Sequence, residues 1–296
     1  MNKNEEKYVV GIGEVLWDVL PDGKKIGGAP ANFAYHVSQF GLNGLAVSAV
    51  GDDVPGDEII DVLNRQGLGH HLERVGFPTG TVEVSLDSAG VPKYDIKENV
   101  AWDNIHFTKE LGEIAAKTKA VCFGSLAQRN PVSRKTIQKF LSAIPAGNDT
   151  LRVFDINLRQ DFFSEEVVRQ SIGLCDVLKI NDEELNIVKG LLGLSDGSQE
   201  ELCETLMSLG NIRTLILTCG VDGSKVFSNE GVSVLGTPKV EVADTVGAGD
   251  SFTAAFVASI LKGKSVRQAH RAAVDVSAFV CSRRGAMPQL PTNLTE

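Results

Sequence analysis

The sequence is poor in the features that mark secreted and membrane-bound proteins. It contains only five cysteines among 296 residues, and no two of them are spaced as C-x-x-C. No apolar run approaches the roughly 18 residues that a membrane-spanning helix requires. The first apolar segment, residues 8–12, is too short for the core of a signal peptide. We therefore expect a cytoplasmic protein whose cysteines stay reduced.

Positive charge is also scarce. Lysine and arginine number 29 against 38 aspartates and glutamates, which gives a formal net charge of −9. Proteins that bind nucleic acids or anionic membranes usually present a basic face, so we expect neither partner. An acidic chain can still bind one anion locally, because backbone N–H groups at the start of a helix attract negative charge.

Short apolar segments alternate with amphipathic ones. The apolar segments are predicted to be buried strands: residues 8–12, 46–50, 120–123, 151–156, 177–180 and 214–218. The amphipathic segments are predicted to be helices: residues 30–40, 56–66, 131–144, 165–174 and 199–209, with 251–262 and 266–282 after a predicted hairpin at 224–235. This alternation is typical of a three-layer, doubly wound, mainly parallel α/β sheet, whose ligands bind beyond the carboxyl ends of the strands.

Two stretches interrupt the alternation. Residues 14–26 show no helical pattern, and residues 81–96 alternate like a strand around a turn predicted at residues 90–92. We interpret both as a small β lid over the site, with lid segments at about 14–26 and 79–105 of a single domain spanning residues 1–296. An edge hairpin without a functional role is the alternative.

The most informative string is DTVGAGDSF at residues 244–252. The small residues Gly247, Ala248 and Gly249 let the backbone approach a ligand closely. Free N–H groups at the start of the following helix would then face an anion. The string predicts an anion hole for a transferring phosphoryl group, with Asp250 at its mouth as a base. A glycine loop with Asp250 as a simple helix cap is the alternative.

The second string is GGAPANFA at residues 27–34. Pro30 suits the first turn of a helix, and the glycine pair admits close backbone approach. Asn32 is predicted to face out of the helix one turn later. Its amide offers both a donor and an acceptor, which a sugar hydroxyl requires. A plain helix start with a solvated Asn32 is the alternative.

These strings resemble the two signatures of the ribokinase-like (PfkB) carbohydrate kinase family, D-T-x-G-A-G-D and G-G-x-x-x-N-x-A, and occur in the family's order. The resemblance extends over nearly the whole chain. It implies a ribokinase-like fold, ATP and Mg²⁺ as cofactors, a small sugar as acceptor and Asp250 as catalytic base. By the same resemblance Asp18, Gly28 and Asn32 bind the sugar, and Arg159 contacts the sugar or a phosphate. The alternatives are a loop cap for Asp18 and an ordinary surface position for Arg159.

The resemblance also implies a nucleotide site. The string NDEE at residues 181–184 resembles a motif in which Asn181 contributes to ATP binding and Glu184 holds Mg²⁺ through water. A capping box is the alternative, and both can hold at once. The string TCGVDG at residues 218–223 resembles the shelf that lines the nucleotide, which assigns Thr218, Gly220 and Gly223.

A K⁺ site beside the anion hole is implied by the resemblance alone. Its ligands are mainly carbonyl oxygens. They correspond to Asp244, Val246, Val280, Arg283, Gly285 and Gln289.

The acceptor is left open among several sugars. The combination of Glu14, Asp18 and the string GAPAN resembles fructokinases and predicts phosphorylation of a primary hydroxyl of fructose. Ribose, 2-keto-3-deoxygluconate and fructose phosphates are alternatives. The last two are anionic and would need a cation, which Lys24, Lys25 or Arg159 could supply.

The sequence fits two other classes of protein less well than it fits a kinase. A catalytically inactive sugar-sensing regulator is disfavoured because the base and the anion hole are both intact. A dinucleotide-dependent oxidoreductase fails because the third glycine of G-x-G-x-x-G would fall at Leu16. Paired lids are a plausible contact for a homodimer.

Overall fold

The computed structural model describes residues 7–20, 23–86, 92–146, 150–210 and 212–296. The strands in these ranges are Tyr8–Ile12 (β1), Leu16–Leu20 (β2), Gly23–Gly27 (β3), Asn43–Gly51 (β4), Gly69–Val75 (β5), Thr81–Leu86 (β6), Pro92–Ile96 (β7), Thr118–Phe123 (β8), Leu151–Asp155 (β9), Val177–Asn181 (β10), Thr214–Thr218 (β11), Ser224–Ser228 (β12) and Gly231–Leu235 (β13). The helices are Ala29–Gln39 (α1), Val54–Arg65 (α2), Lys109–Ala116 (α3), Pro131–Ala143 (α4), Glu165–Leu174 (α5), Asp182–Leu192 (α6), Gln199–Gly210 (α7), Ala248–Leu261 (α8) and Val266–Cys281 (α9).

A large sheet forms the middle layer. Within the described ranges it has nine strands in the order β13-β12-β11-β10-β9-β8-β1-β4-β5. Neighbours from β11 to β5 pair in parallel, whereas β12 and β13 are antiparallel. The carboxyl ends of the parallel strands therefore meet at one edge, where the loops that follow β1, β9, β10 and β11 converge.

Helices cover both faces of this sheet, because successive residues of the buried strands point to opposite sides. Val9 packs with residues of α1, α8 and α9, whereas Val10 packs with residues of α3, α4 and α5. Val153 and Phe154 on β9 divide in the same way. The predicted doubly wound α/β architecture is confirmed.

A second, four-stranded sheet lies beside the large one, in the order β3-β2-β6-β7. Its two hairpins come from separate parts of the chain and are joined by parallel pairing of β2 with β6, for example Trp17 opposite Thr81. The Trp17 indole donates a hydrogen bond to the carbonyl of Pro55, 3.0 Å away, which fixes this sheet to α2. The turn predicted at residues 90–92 lies largely outside the described residues. The role of this sheet as a lid and the single-domain assignment both stay predictions.

The elements that differ from the sequence-based expectation include α8, β5 and α3. Helix α8 begins at Ala248 rather than at residue 251, so Gly249 and Asp250 lie in its first turn. Strand β5 was not expected, since its sequence GHHLERV lacks an apolar run. It is an edge strand with partly exposed side chains, and edge pairing needs no such run. Helix α3 was also missed, because eight residues show too little of the helical period.

Candidate active site

The N-terminus of α8 lies at the carboxyl edge of the large sheet. Gly247 precedes the helix with φ 77°, a left-handed conformation that favours glycine. A Cβ placed there would also lie 2.7 Å from the Cβ of Ala286, so the loop could not pack as closely with any other residue. The first-turn N–H groups of Gly249 and Asp250 have no acceptor within the helix. This end of α8 can therefore receive an anion.

Asp250 is hydrogen-bonded to Asn32, which lies on α1. The Asn32 Nδ2 atom donates to Asp250 Oδ2 across 2.7 Å. Burial and then the neighbouring Asp155 raise the pKa of Asp250 to about 6, although the bond from Asn32, Lys179 and Arg159 act in the opposite direction. Asn32 was expected to face out of the helix, and that expectation is wrong: its residue is only 3% exposed. The amide turns inward because it has a carboxylate to bind.

A buried lysine lies against the glycine turn at the start of α8. Lys179 Nζ is 3.0 Å from Asp155 Oδ1, and Thr253 donates to the other carboxylate oxygen of Asp155 across 2.9 Å. The same Nζ would lie 3.0 Å from a Cβ placed on Gly249. Burial disfavours the charge of Lys179, but Asp155 and further carboxylates raise its pKa above the ordinary value. A permanent cation thus borders the turn. A lysine inside the apolar run of β10 was the sequence signal for it.

Two of the proposed acceptor residues lie on β2 and directly before α1. Asp18 is in the middle of β2, beside Gly27, and burial followed by Asp244 raises its pKa to about 6. Gly28 has φ 114°, and a Cβ there would lie 2.2 Å from the carbonyl oxygen of Glu14. Only glycine lets the start of α1 approach the segment after β1 this closely.

Arg159 is an exposed side chain whose charge affects three carboxyl groups of the site. Its charge lowers the pKa values of Glu14, Asp18 and Asp250, which places its guanidinium within electrostatic reach of all three. Its only hydrogen bond among the described residues goes from Nη1 to the carbonyl of Leu158, 2.9 Å away. The guanidinium therefore keeps most of its donors for a ligand.

Glu14 is a carboxyl group that the sequence linked to the choice of acceptor without assigning it a contact with the sugar. It is 2% exposed, and its Oε2 atom has no hydrogen-bond partner among the described residues. Burial is the main reason that its pKa rises to about 7, and the charge of Asp250 raises it further. The position directly after β1, at the carboxyl end of a central strand, was the available signal.

Asn181 and Glu184 form the capping box that was the alternative reading of their motif. Asn181 Oδ1 accepts from the Glu184 N–H across 2.8 Å, and Glu184 Oε2 accepts from the Asn181 N–H across 2.9 Å. Glu184 Oε1 accepts from the N–H of Leu158 across 3.0 Å, which ties α6 to the loop after β9. Each oxygen of Glu184 retains a lone pair, so structural and metal-related roles remain compatible.

The shelf after β11 adjoins this box. Thr218 is the register partner of Asn181, so both stand at the carboxyl ends of neighbouring parallel strands. Gly220 and Gly223 have positive φ of 52° and 104°, and a Cβ on Gly223 would lie 2.3 Å from the carbonyl oxygen of Leu235. The glycines are required by the tight turn, whether or not a nucleotide binds there.

Five of the six predicted K⁺ positions form two hydrogen-bonded groups. Asp244 accepts from the N–H groups of Val246 and Gly285 across 3.0 and 3.1 Å, and the Arg283 N–H donates to the carbonyl of Val280 across 2.9 Å. Gln289, the sixth, makes no hydrogen bond within the part of the chain that the structure describes. Within the same part, no three His, Cys, Asp or Glu side chains cluster as metal ligands.

Helix α1 also holds the loop that packs against Gly247. The buried His36 ring lies with Nε2 2.8 Å from the carbonyl oxygen of Ala286, and burial lowers its pKa to about 4. Because a carbonyl only accepts, Nε2 carries the proton of the neutral ring. One helix therefore contacts both the carboxylate and the turn of this site.

The chain is similar to known proteins along most of its length. Residues 13–293 match the pfkB family of carbohydrate kinases. An uncharacterized sugar kinase, PH1459 of Pyrococcus horikoshii, is 31% identical over 94% of this chain and 91% of its own. Fructokinase-1 of Zea mays is 28% identical over 97% and 95% of the two chains. An ATP-dependent 6-phosphofructokinase of Thermoanaerobacterium thermosaccharolyticum is 28% identical over 97% and 92%.

Solved structures share the fold. Fructokinase from Xylella fastidiosa with bound ATP superimposes with a TM-score of 0.86 at 20% identity, covering 97% of this chain and 95% of that one. A double mutant of Vibrio cholerae fructokinase, with fructose, ADP and a potassium ion bound, gives a TM-score of 0.82 at 24% identity, covering 99% and 98%. No helix among the described residues has the length and apolar character to cross a bilayer. The fold is ribokinase-like, and the chain belongs to the pfkB family of carbohydrate kinases.

Proposed function

We propose that this kinase transfers the γ-phosphoryl group of ATP to a primary hydroxyl of fructose, with Asp250 as the general base. The observation that carries the proposal is the position of Asp250. Its carboxylate lies in the first turn of α8, beside the glycine anion hole, and is held at 2.7 Å by Asn32. A base there can take the proton of a hydroxyl as that oxygen attacks a phosphorus atom over the turn.

The anion hole would stabilise the charge that develops on the transferring group. The N–H groups of Gly249 and Asp250 and the cation of Lys179 all border the same turn. Such fixed dipoles and charges are effective because they need no reorganisation during the reaction. The nucleotide would lie from this turn towards the shelf of Thr218, Gly220 and Gly223.

Two metal ions fit the residues around this turn. Mg²⁺ neutralises phosphate charge in phosphoryl transfer, and Glu184 fits a place near it because its free lone pairs can receive bound water. K⁺ is assigned to the two segments that carry Asp244, Val246, Val280, Arg283 and Gly285, which the Asp244 carboxylate joins by accepting from the N–H groups of Val246 and Gly285. The cytoplasmic location and a homodimer through the four-stranded sheet stay predictions.

The charge of the acceptor region favours a neutral sugar. Glu14, Asp18 and Asp250 supply three carboxyl groups, and Arg159 is the cation that acts on all of them. Lys25 Nζ lies 3.9 Å from Asp244 Oδ2 and is thereby already opposed by a carboxylate.

Lys24, the other lysine considered for an anionic acceptor, is also engaged. It pairs with Glu58, and its Nζ lies 4.8 Å from the centre of the Trp17 ring. A phosphate or carboxylate on the acceptor would therefore be repelled by the carboxyl groups of the site. Of the three cations considered, only Arg159 is free to pair with it. This argues for fructose or ribose above fructose phosphates and 2-keto-3-deoxygluconate.

The test is ADP release with Mg-ATP against fructose, ribose, 2-keto-3-deoxygluconate and fructose 6-phosphate, compared as kcat/KM. Asp250→Asn should lower kcat by ~10²–10⁴, the usual effect of losing a positioned base. Asp61→Asn, on the exposed face of α2, is the matched control and should change nothing. A folded Asp250→Asn enzyme with more than about a tenth of the wild-type kcat would contradict the role of the base.

The same panel of sugars tests the identity of the acceptor separately from the kinase activity. If ribose or an anionic sugar exceeds fructose by about tenfold or more, the fructose assignment is wrong and sugar phosphorylation stands. If no sugar gives turnover above the Asp250→Asn blank, the inactive sugar-sensing regulator becomes the better interpretation.

A further inference from the structure

Two buried side-chain oxygens near Asp250 have no hydrogen-bond donor. They are Glu14 Oε2 and Asn32 Oδ1, and neither finds a partner among the described residues. Their residues are 2% and 3% exposed. A buried polar atom without a partner is costly, and in native proteins it usually indicates a ligand or water that belongs at the site.

Both oxygens belong to the acceptor side of the site. Asn32 Nδ2 is committed to Asp250, and an ionised carboxylate only accepts, so the amide cannot be turned around. Oδ1 is therefore directed away from Asp250 and remains an acceptor. Glu14 interacts electrostatically with Asp250 and Arg159, and its backbone lies against Gly28 at the start of the same helix.

The chain satisfies only part of the Glu14 carboxyl group, through the backbone N–H groups of Glu14 and Ala29. Its carboxyl group is out of water, near a second carboxylate, and no side chain in the described ranges donates to Oε2. A polyhydroxylated ligand would supply the missing donors, because each sugar hydroxyl can donate one hydrogen bond. A site built around hydroxyls strongly rejects an analogue that lacks one of them.

We propose that Glu14 is a further acceptor-binding residue. In this proposal Glu14 Oε2 and Asn32 Oδ1 accept hydrogen bonds from two sugar hydroxyls close to the hydroxyl that Asp250 deprotonates. The proposal rests on the proposed function and identifies one determinant of its specificity: a neutral acceptor with neighbouring hydroxyls.

The test compares wild type, Glu14→Gln and Glu14→Asp. Glutamine keeps the shape and removes the ionisable oxygen, and aspartate keeps the charge but withdraws it by one methylene. Both should raise KM for the sugar by about 10- to 100-fold, the effect of losing a hydrogen bond to a charged group. The KM for ATP should stay within about twofold, since Glu14 is proposed to contact only the sugar. Glu204→Gln, exposed on α7, is the matched control.

Sugar analogues that lack one hydroxyl distinguish a sugar-binding role of Glu14 from a purely structural one. For one such deoxy sugar, the wild type should lose about tenfold or more in kcat/KM, whereas Glu14→Gln should show little further loss. The alternative is a protonated Glu14 that only supports the fold. In that case the folded Glu14→Gln enzyme would have the wild-type KM for the sugar. It would also lose as much kcat/KM with the deoxy sugar as the wild type does, and this result would overturn the proposal.

Failure of this inference differs from failure of the proposed function. A wild-type enzyme inactive on every sugar contradicts the phosphotransferase function and the acceptor role with it. An active wild-type enzyme whose sugar KM does not depend on Glu14 contradicts only the role of Glu14. Melting temperatures with and without fructose, measured without ATP, provide the binding comparison for any variant that is too slow to assay.

Discussion

Replacing Glu14 with glutamine should stabilise the sugar-free protein at alkaline pH. The carboxyl group is 2% exposed, and burial followed by the charge of Asp250 raises its pKa from an ordinary 4.5 to about 7. Between these two values the folded chain binds a proton that the unfolded chain releases. The contribution of Glu14 to stability is therefore fully present below the lower value and is lost as the pH rises through about 7.

The magnitude follows from the difference between the two pKa values. Each pKa unit corresponds to about 1.4 kcal/mol, so ionising Glu14 in the folded chain costs about 3 kcal/mol well above pH 7. Near pH 5 most of this cost is absent, because the folded group is protonated. The advantage of Glu14→Gln over the wild type should thus grow by about 2 kcal/mol between about pH 5 and about pH 8.

Urea unfolding at both pH values measures this difference, with Glu204→Gln as the exposed control on α7. The midpoint should move and the slope should not, because the surface exposed on unfolding is the same. A Glu14→Gln protein that is less stable than the wild type at both pH values would refute the reasoning. An advantage that is equal at the two pH values would refute it as well, since a desolvated charge must show its cost only where it is ionised.

Three further predictions concern the site. Because the base must be ionised and the pKa of Asp250 is about 6, kcat/KM for the sugar should fall below about that pH, and a profile that stays flat to about pH 5 would contradict the assignment. Replacing K⁺ by tetramethylammonium at constant ionic strength should lower activity, and equal rates would remove the cation site. Gly28→Ala should destabilise by about 2 kcal/mol or more, because its φ is 114° and the new Cβ would lie 2.2 Å from the Glu14 carbonyl oxygen. Gly41→Ala is the control for φ alone, having φ 75° and no atom within 4 Å of the new Cβ, and thermal melts should show the smaller loss there.

The sequence predicted the architecture where local patterns carry it. The apolar blocks at β1, β8, β9, β10 and β11 must be buried on both faces of a parallel sheet, and such blocks are easily recognised. β5 has no such block, because an edge strand is partly exposed and its polar sequence is compatible with many structures. The predicted start of α8 was too late. Glycine and alanine before an apolar helix do not show whether they belong to the preceding loop or to the first turn of the helix.

The candidate site was predictable in its residue types but not in its contacts. The strings around Asp250 and Asn32 predicted that both matter, whereas the bond between them depends on how α1 packs against α8. The same holds for Lys179 and Glu14. Their burial is a property of the assembled layers, and a single charged letter beside or within an apolar strand does not reveal which neighbours will surround it.

The bond between Asn32 and Asp250 joins residues 218 positions apart, and this separation has a consequence for the order in which the enzyme is made. A chain emerging from the ribosome exposes α1 first, whereas Asp250 emerges 218 residues after Asn32. Before that point the growing chain holds the residues proposed to bind the sugar but neither the proposed base nor the proposed anion-binding turn. A growing chain that ends before α8 therefore cannot carry out the proposed phosphoryl transfer.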